Sequence, residues 1–236
     1  MHTTLLLATL LLTTFCCGVL VGYYGSPHLE PIKRVLRPIR QFVWASKKRS
    51  VYDQPMAGRV TVYDSLPGTA EIVMLGDSLT DWGNWDELLP GLDIINRGIG
   101  GDTSGGVLTR LKEISQRNPK TVVLMIGIND ILQDSSPELV ALNIKQTVRS
   151  LRENKIRVIL QSVLLMDATT GQRANRKVKR LNTFLRHIAA EESTQFLDLN
   201  TVLAPNGTLH PELTRDGLHL AGRGYILWAE SLRPLL

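Results

Sequence analysis

Cysteine is nearly absent: the 236 residues hold only Cys16 and Cys17, adjacent within an apolar stretch near the N-terminus. A disulfide framework, a thiolate zinc cluster and a cysteine nucleophile are therefore excluded from the rest of the chain. Several common signatures are missing as well. No Gly-x-Ser-x-Gly elbow surrounds Ser78, which argues against an ordinary α/β-hydrolase. The glycine-rich run Gly98-Ile99-Gly100-Gly101-Asp102 lacks the Lys-Ser/Thr ending of a P-loop, and Gly-x-Gly-x-x-Gly is not matched. Internal repeats and low-complexity tracts are absent too.

Charge is unevenly spread. The chain carries a formal net charge of +5, but seven of its 27 Lys and Arg residues fall between Lys33 and Arg49. The remainder is nearer neutral, so bulk charge does not argue for a nucleic-acid partner. The basic stretch Arg173–Arg186 reads as the solvated face of a helix.

Three regions follow from these patterns: residues 1–25, a linker at 26–58 and a folded body at 59–236. Thr4 to Tyr24 contains no charged residue. At ~1.5 Å per residue such a run spans a ~30 Å hydrocarbon core. Tyr23 and Tyr24 stand where interfacial aromatics belong. An uncleaved membrane anchor is preferred over a cleaved signal, since no Lys or Arg precedes the run. Lipid attachment at Cys16 is disfavoured by the bulky Phe15 before it. The basic residues after the span favour a cytoplasmic body, whereas export is the usual purpose of such a span; the outer face is the expectation. Between Pro31 and Ser50, apolar residues recur at helical spacing among basic ones, with Pro38 interrupting. That segment suits either an anionic membrane surface or a solvated linker.

From Arg59 onward, apolar runs alternate with longer amphipathic stretches, the pattern of a parallel sheet with helical crossovers. Strands are expected at Glu71–Leu75, Asp93–Asn96, Thr121–Ile126, Val158–Val163 and Gln195–Leu199. Helices are expected at Gly105–Arg117, Pro137–Asn154, Asn175–Glu192 and Gly222–Leu235. This predicts a three-layer α/β/α sandwich around a five-stranded parallel sheet.

Ligand sites in such sheets collect at the carboxyl ends of the strands. Four segments fall there: Gly76-Asp77-Ser78, Gly100, Gly127-Ile128-Asn129-Asp130 and Asp216-Gly217-Leu218-His219. Acyl transfer by a serine needs a nucleophile, a base, a group orienting the base, and donors for the oxyanion. Ser78 is the candidate nucleophile, although Asp77-Ser78 before Leu79 also suits helix capping. His219 is the candidate base, with His210 its competitor. Asp216, three residues earlier, can reach the ring within one turn. Gly100 leaves room for a backbone N–H near an oxyanion, and Asn129 can add a side-chain amide. Asp77, Asp102 and Asp130 are assigned loop support through backbone N–H groups. Too few carboxylates or histidines cluster here for a metal site.

The order Gly-Asp-Ser, Gly, Gly-x-Asn-Asp, Asp-x-x-His resembles the SGNH (GDSL) hydrolase family. Asn96 to Thr103 is similar to the branch containing platelet-activating-factor acetylhydrolase-like esterases. The likeness runs from about Glu71 to Trp228. It implies a flavodoxin-like sandwich, catalytic roles for Ser78, Asp216 and His219, and an oxyanion hole built from Ser78, Gly100 and Asn129. Ile128 stands where the family often has Thr. The expected activity is ester hydrolysis without a cofactor, on short acyl groups carried by a carbohydrate or small molecule. Lipid acyl esters or thioesters are the alternative, and an inactive membrane-tethered binding module is a third. Trp82 and Trp85, just after the nucleophile, suit either sugar stacking or core packing.

Overall fold

The computed structural model describes residues 58–63, 65–66 and 68–236. The apolar run, both cysteines and the linker up to residue 57 lie outside the described residues. Among the described residues no helix is long and apolar enough to cross a membrane.

Five strands form one sheet: β1 (Ile72–Gly76), β2 (Ile94–Gly98), β3 (Thr121–Met125), β4 (Arg157–Gln161) and β5 (Gln195–Leu197). All neighbours are parallel, and the spatial order is β2-β1-β3-β4-β5. The expected strands are all present, with ends moved by one or two residues. In particular β1 and β2 each run on to a glycine, Gly76 and Gly98, which are paired in register. Gly76 is also level with Met125 of β3. The carboxyl ends of the three strands that precede Ser78, Gly100 and Asn129 therefore share one rim.

The central strands read as unbroken apolar runs because both faces are covered. Every residue of β1 and β3 is buried. Each buried Val, Leu or Met side chain contributes about 1.5–3 kcal/mol relative to exposure. One covering layer holds α3 (Ser104–Thr109), α4 (Leu111–Gln116), α6 (Pro137–Glu153) and α7 (Ala174–Glu191). The other holds α2 (Trp85–Leu88), α8 (Asn200–Leu203) and α9 (Gly222–Leu232). The start of α6 follows from local chemistry: the Ser136 hydroxyl accepts the Leu139 N–H, and Pro137 occupies the first helical position.

Two expectations about helices need correction. The single helix predicted over Gly105–Arg117 is two helices, broken at Arg110 (φ −108°, ψ 13°). Arg110 leaves the helical path because its guanidinium is drawn to Asp102 (2.9 Å) and to the Gly76 carbonyl (3.2 Å). The C-terminal helix ends at Leu232 and finishes in a 3-10 turn, Arg233–Leu235, containing Pro234. The single-turn helices α1 (Ser78–Asp81) and α5 (Ile128–Leu132) are too short to leave a periodic signal.

Ahead of β1, residues 58–63 are helical and lie against the end of β2. The buried Tyr63 hydroxyl donates to the Gly98 carbonyl (3.1 Å), and its ring stacks under the Arg97 guanidinium. Arg117 donates to the carbonyls of Tyr63, Leu66 and Gly68. The buried Glu113 carboxylate joins Arg97 (3.0 Å) and Arg117 (2.8 Å). Removing Glu113 alone would leave two buried guanidinium groups without their shared counter-charge, a loss of several kcal/mol in comparable cases.

Candidate active site

The turn after β1 is tight because Gly76 makes it so. A Cβ there would stand 2.2 Å from Thr80 Oγ1 and 2.3 Å from the Met125 carbonyl. Asp77 caps α1 by accepting the Leu79 N–H (3.0 Å). Ser78 is consequently the first helical residue, whose N–H has no partner within the helix. Side chains hold the far end of this short helix. Trp85 Nε1 and Asn96 Nδ2 donate to the Thr80 carbonyl (2.8 and 3.0 Å). Tyr225 Oη donates to the Leu79 carbonyl (2.9 Å), and burial raises its phenol above the ordinary range.

The two nearby tryptophans separate cleanly. Trp85 is buried, edge-on to Trp228 with ring centroids 4.8 Å apart, so it is core rather than a stacking surface. Trp82 is 47% exposed and lies flat on the His219 ring at 4.2 Å.

Ser78 Oγ stands 2.9 Å from His219 Nε2, across 141 residues of sequence. His219 Nδ1 is 2.7 Å from Asp216 Oδ2. Asp216 Oδ1 accepts the backbone N–H groups of His219 (2.8 Å) and Leu218 (3.0 Å). Desolvation pushes this carboxyl up. The hydrogen bonds from the His219 ring and the two backbone groups outweigh it and hold Asp216 at about 2. Its side chain is 52% exposed, so solvent screens the charge it presents to the ring.

The Asp216–His219 turn depends on Gly217, at φ +89°, where a Cβ would also meet Thr170 Oγ1 at 2.4 Å. Its carbonyl accepts the Asp167 N–H (2.9 Å), which ties the turn to the loop after β4. Sequence reasoning assigned no role to Gly217 or Asp167; the glycine inside Asp-x-x-His, a residue that tolerates positive φ, is the signal that was available. His210, the competing base, is exposed and sits beside the Glu212 N–H (3.4 Å), remote in role from Ser78.

The three buried carboxylates bond to nearby loop groups. Asp102 accepts the Thr103 N–H (2.8 Å), and Asp130 accepts both the N–H and the hydroxyl of Ser104 (2.8 Å each). Asp77, Asp102 and Asp130 are all buried. Burial raises all three carboxyls; Asp77 reaches about 7, with the charges of Asp102 and Asp130 adding to the effect against its bond from Leu79.

Gly100 stands beside Ser78. A Cβ there would lie 3.7 Å from Asp81 Oδ2 and 3.9 Å from Ser78 Cβ, ordinary contact distances. What such a Cβ would take up is space beside Ser78, where a reacting group must enter. Asn129 Nδ2 donates to the Asp102 carbonyl (2.9 Å), which fixes the amide and leaves its second hydrogen available. Among the described residues no group of three His, Cys, Asp or Glu side chains is arranged to hold a metal ion.

This fold with this Ser–His–Asp chain can support acyl transfer, and the comparisons agree. The model of the GDSL-like lipase/acylhydrolase family matches residues 74–227. The chain belongs to that family. Among curated proteins it is 32% identical over 211 residues to platelet-activating factor acetylhydrolase IB subunit alpha1 from Bos taurus, covering 81% of this chain and 88% of that one. A GDSL-like lipase from Bacteroides thetaiotaomicron superposes with a TM-score of 0.67 at 25% identity, over 76% of this chain and 95% of that one. A mutant acetyl-xylooligosaccharide esterase from Geobacillus Stearmophilus shares the fold, with a TM-score of 0.61 at 21% identity over 70% and 94%. This GDSL-family chain is an ester-hydrolysing enzyme.

Proposed function

We propose that this enzyme hydrolyses carboxylic esters through an acyl-Ser78 intermediate. The observation that carries the reading is the continuous contact Ser78 Oγ–His219 Nε2 and His219 Nδ1–Asp216 Oδ2, at 2.9 and 2.7 Å. Ser78 Oγ attacks the ester carbonyl and its proton passes to His219 Nε2. Asp216 holds the ring in one tautomer and stabilises the imidazolium. The tetrahedral oxyanion takes the backbone N–H groups of Ser78 and Gly100 and the free amide hydrogen of Asn129. Collapse expels the alcohol, protonated by His219. Water, deprotonated by the same ring, then releases the acid and restores Ser78.

The acyl group proposed is short, acetyl above all, on a carbohydrate or other small alcohol. The exposed face of Trp82 beside His219 offers an aromatic surface for such a carrier. Hydrolysis of long acyl chains on a lysolipid or thioester is the competing reading. Turnover across p-nitrophenyl esters of increasing chain length separates them: a maximum at acetate supports the first, a maximum at eight carbons or more the second. Attachment through Thr4–Tyr24, with the catalytic domain on the outer face, is part of the proposal on sequence grounds. Extraction of the protein from membranes by alkaline carbonate would contradict it.

A further inference from the structure

Arg59 lies outside every motif of the family. It belongs to the helical segment at 58–63, before the sheet begins. Its guanidinium forms an ion pair with Asp81, 22 residues further on and three residues after Ser78. It also donates to Tyr63 Oη (3.0 Å), which in turn donates to the Gly98 carbonyl. The Arg59 guanidinium thereby bridges α1, through Asp81, and the end of β2, through Tyr63.

Asp81 occupies a sensitive place. One point in space, where a Cβ on Gly100 would stand, is 3.7 Å from Asp81 Oδ2 and 3.9 Å from Ser78 Cβ. The carboxylate thus borders the gap between Ser78 and Gly100, where the proposed intermediate carries its negative charge. Its backbone cannot retreat: a Cβ on Gly98 would stand only 2.1 Å from the Asp81 nitrogen, so β2 and α1 are already in closest contact. Desolvation raises the Asp81 carboxyl, while Arg59 and the Gly100 N–H oppose that rise. An unneutralised carboxylate there would repel the oxyanion. Among the described residues, Arg59 is the cation paired with it.

We infer that Arg59 is a positioning residue for ester hydrolysis: by pairing with Asp81 it neutralises a negative charge at the edge of the oxyanion hole. The inference rests on the proposed roles of Ser78 and Gly100. Arg59 itself touches neither substrate nor reacting atoms. It places a functional charge on a segment that pattern-based matching of the family, which begins at residue 74, does not reach.

The test is a charge cycle read with p-nitrophenyl acetate. Like charges that border one partly buried site interact strongly enough to predict a fall in kcat of about 10- to 100-fold for Arg59→Ala, with KM within about twofold. Arg59→Lys, which keeps the charge, retains most of the activity. Arg59→Ala combined with Asp81→Asn recovers to within about threefold of the parent, because the charge needing neutralisation is gone. A merely structural role for the segment predicts the opposite for the double variant, since the contact is still lost. The inference is overturned if Arg59→Ala keeps full turnover, or if the double variant is as slow as the single one. Stoichiometric labelling of Ser78 by a fluorophosphonate is measured first. Its absence from the parent enzyme defeats the acyl-serine reading itself; labelling in the parent with a failed charge cycle defeats only the role of Arg59.

Discussion

The indole of Trp82 lies on the imidazole of His219, ring centroids 4.2 Å apart and planes 23° from parallel. One turn of α1 separates Trp82 from Ser78, so the same short helix presents the proposed nucleophile and the surface that backs its base. During turnover the ring becomes an imidazolium, and an indole face attracts a cation by about 0.5–1 kcal/mol at a partly exposed position. Replacing Trp82 with Leu should therefore slow kcat by about two- to fivefold, while Phe retains most of the rate. Unchanged turnover in the Leu variant would show that the stack is passive packing.

Two glycines on the β2 side of the site should fail in different ways. Gly98→Ala places a methyl 2.1 Å from the Asp81 backbone nitrogen, and neither strand nor helix can give way. It should lower the melting temperature by several degrees, the effect of roughly 1–3 kcal/mol of overpacking. Gly100→Ala meets only ordinary contacts and should fold as the parent does. Its methyl instead stands beside Ser78, and turnover should fall by about 10²-fold or more, the scale of losing one oxyanion donor. Melting curves and kcat measured on both variants check the contrast.

Asp77 gives the stability of this domain a definite pH dependence. Burial raises its carboxyl from 3.8 to about 7 in the folded state. The folded protein thus holds that proton more tightly than the unfolded chain does. The stabilisation is complete below the unfolded value, and is lost as the pH climbs from about 4 towards about 7. Asp77→Asn keeps an oxygen for the Leu79 N–H but no titrating group. Its melting temperature relative to the parent should rise between about pH 5 and pH 7. A constant difference across that range would mean that Asp77 remains ionised in the fold.

Much of this architecture is legible in the chain itself. Strands buried on both faces, such as Val122–Met125, leave apolar runs that fix the sheet, and each motif follows one of them. Ser78, His219 and Asp216 come together as the order of segments implies. What local pattern cannot show is who meets whom across the fold. Arg110 breaks a predicted helix because Asp102 waits on another loop. Glu113 and Arg117 form an i,i+4 pair visible in sequence, but Arg97 completes it from β2. Trp82 and Trp85 look alike in the sequence; only the packing of Trp228 and Tyr225 makes one of them core. The Arg59–Asp81 pair is hidden for the same reason.

The central claim is that Ser78 carries the acyl group while His219 moves its proton. Rapid mixing of the enzyme with excess p-nitrophenyl acetate, followed by acid quench and mass measurement of the Ser78 peptide, tests it most directly. A gain of one acetyl group on Ser78 in the parent, with none in Ser78→Ala and turnover at background in that variant, is the predicted result. Hydrolysis by Ser78→Ala at a rate near that of the parent would contradict the account.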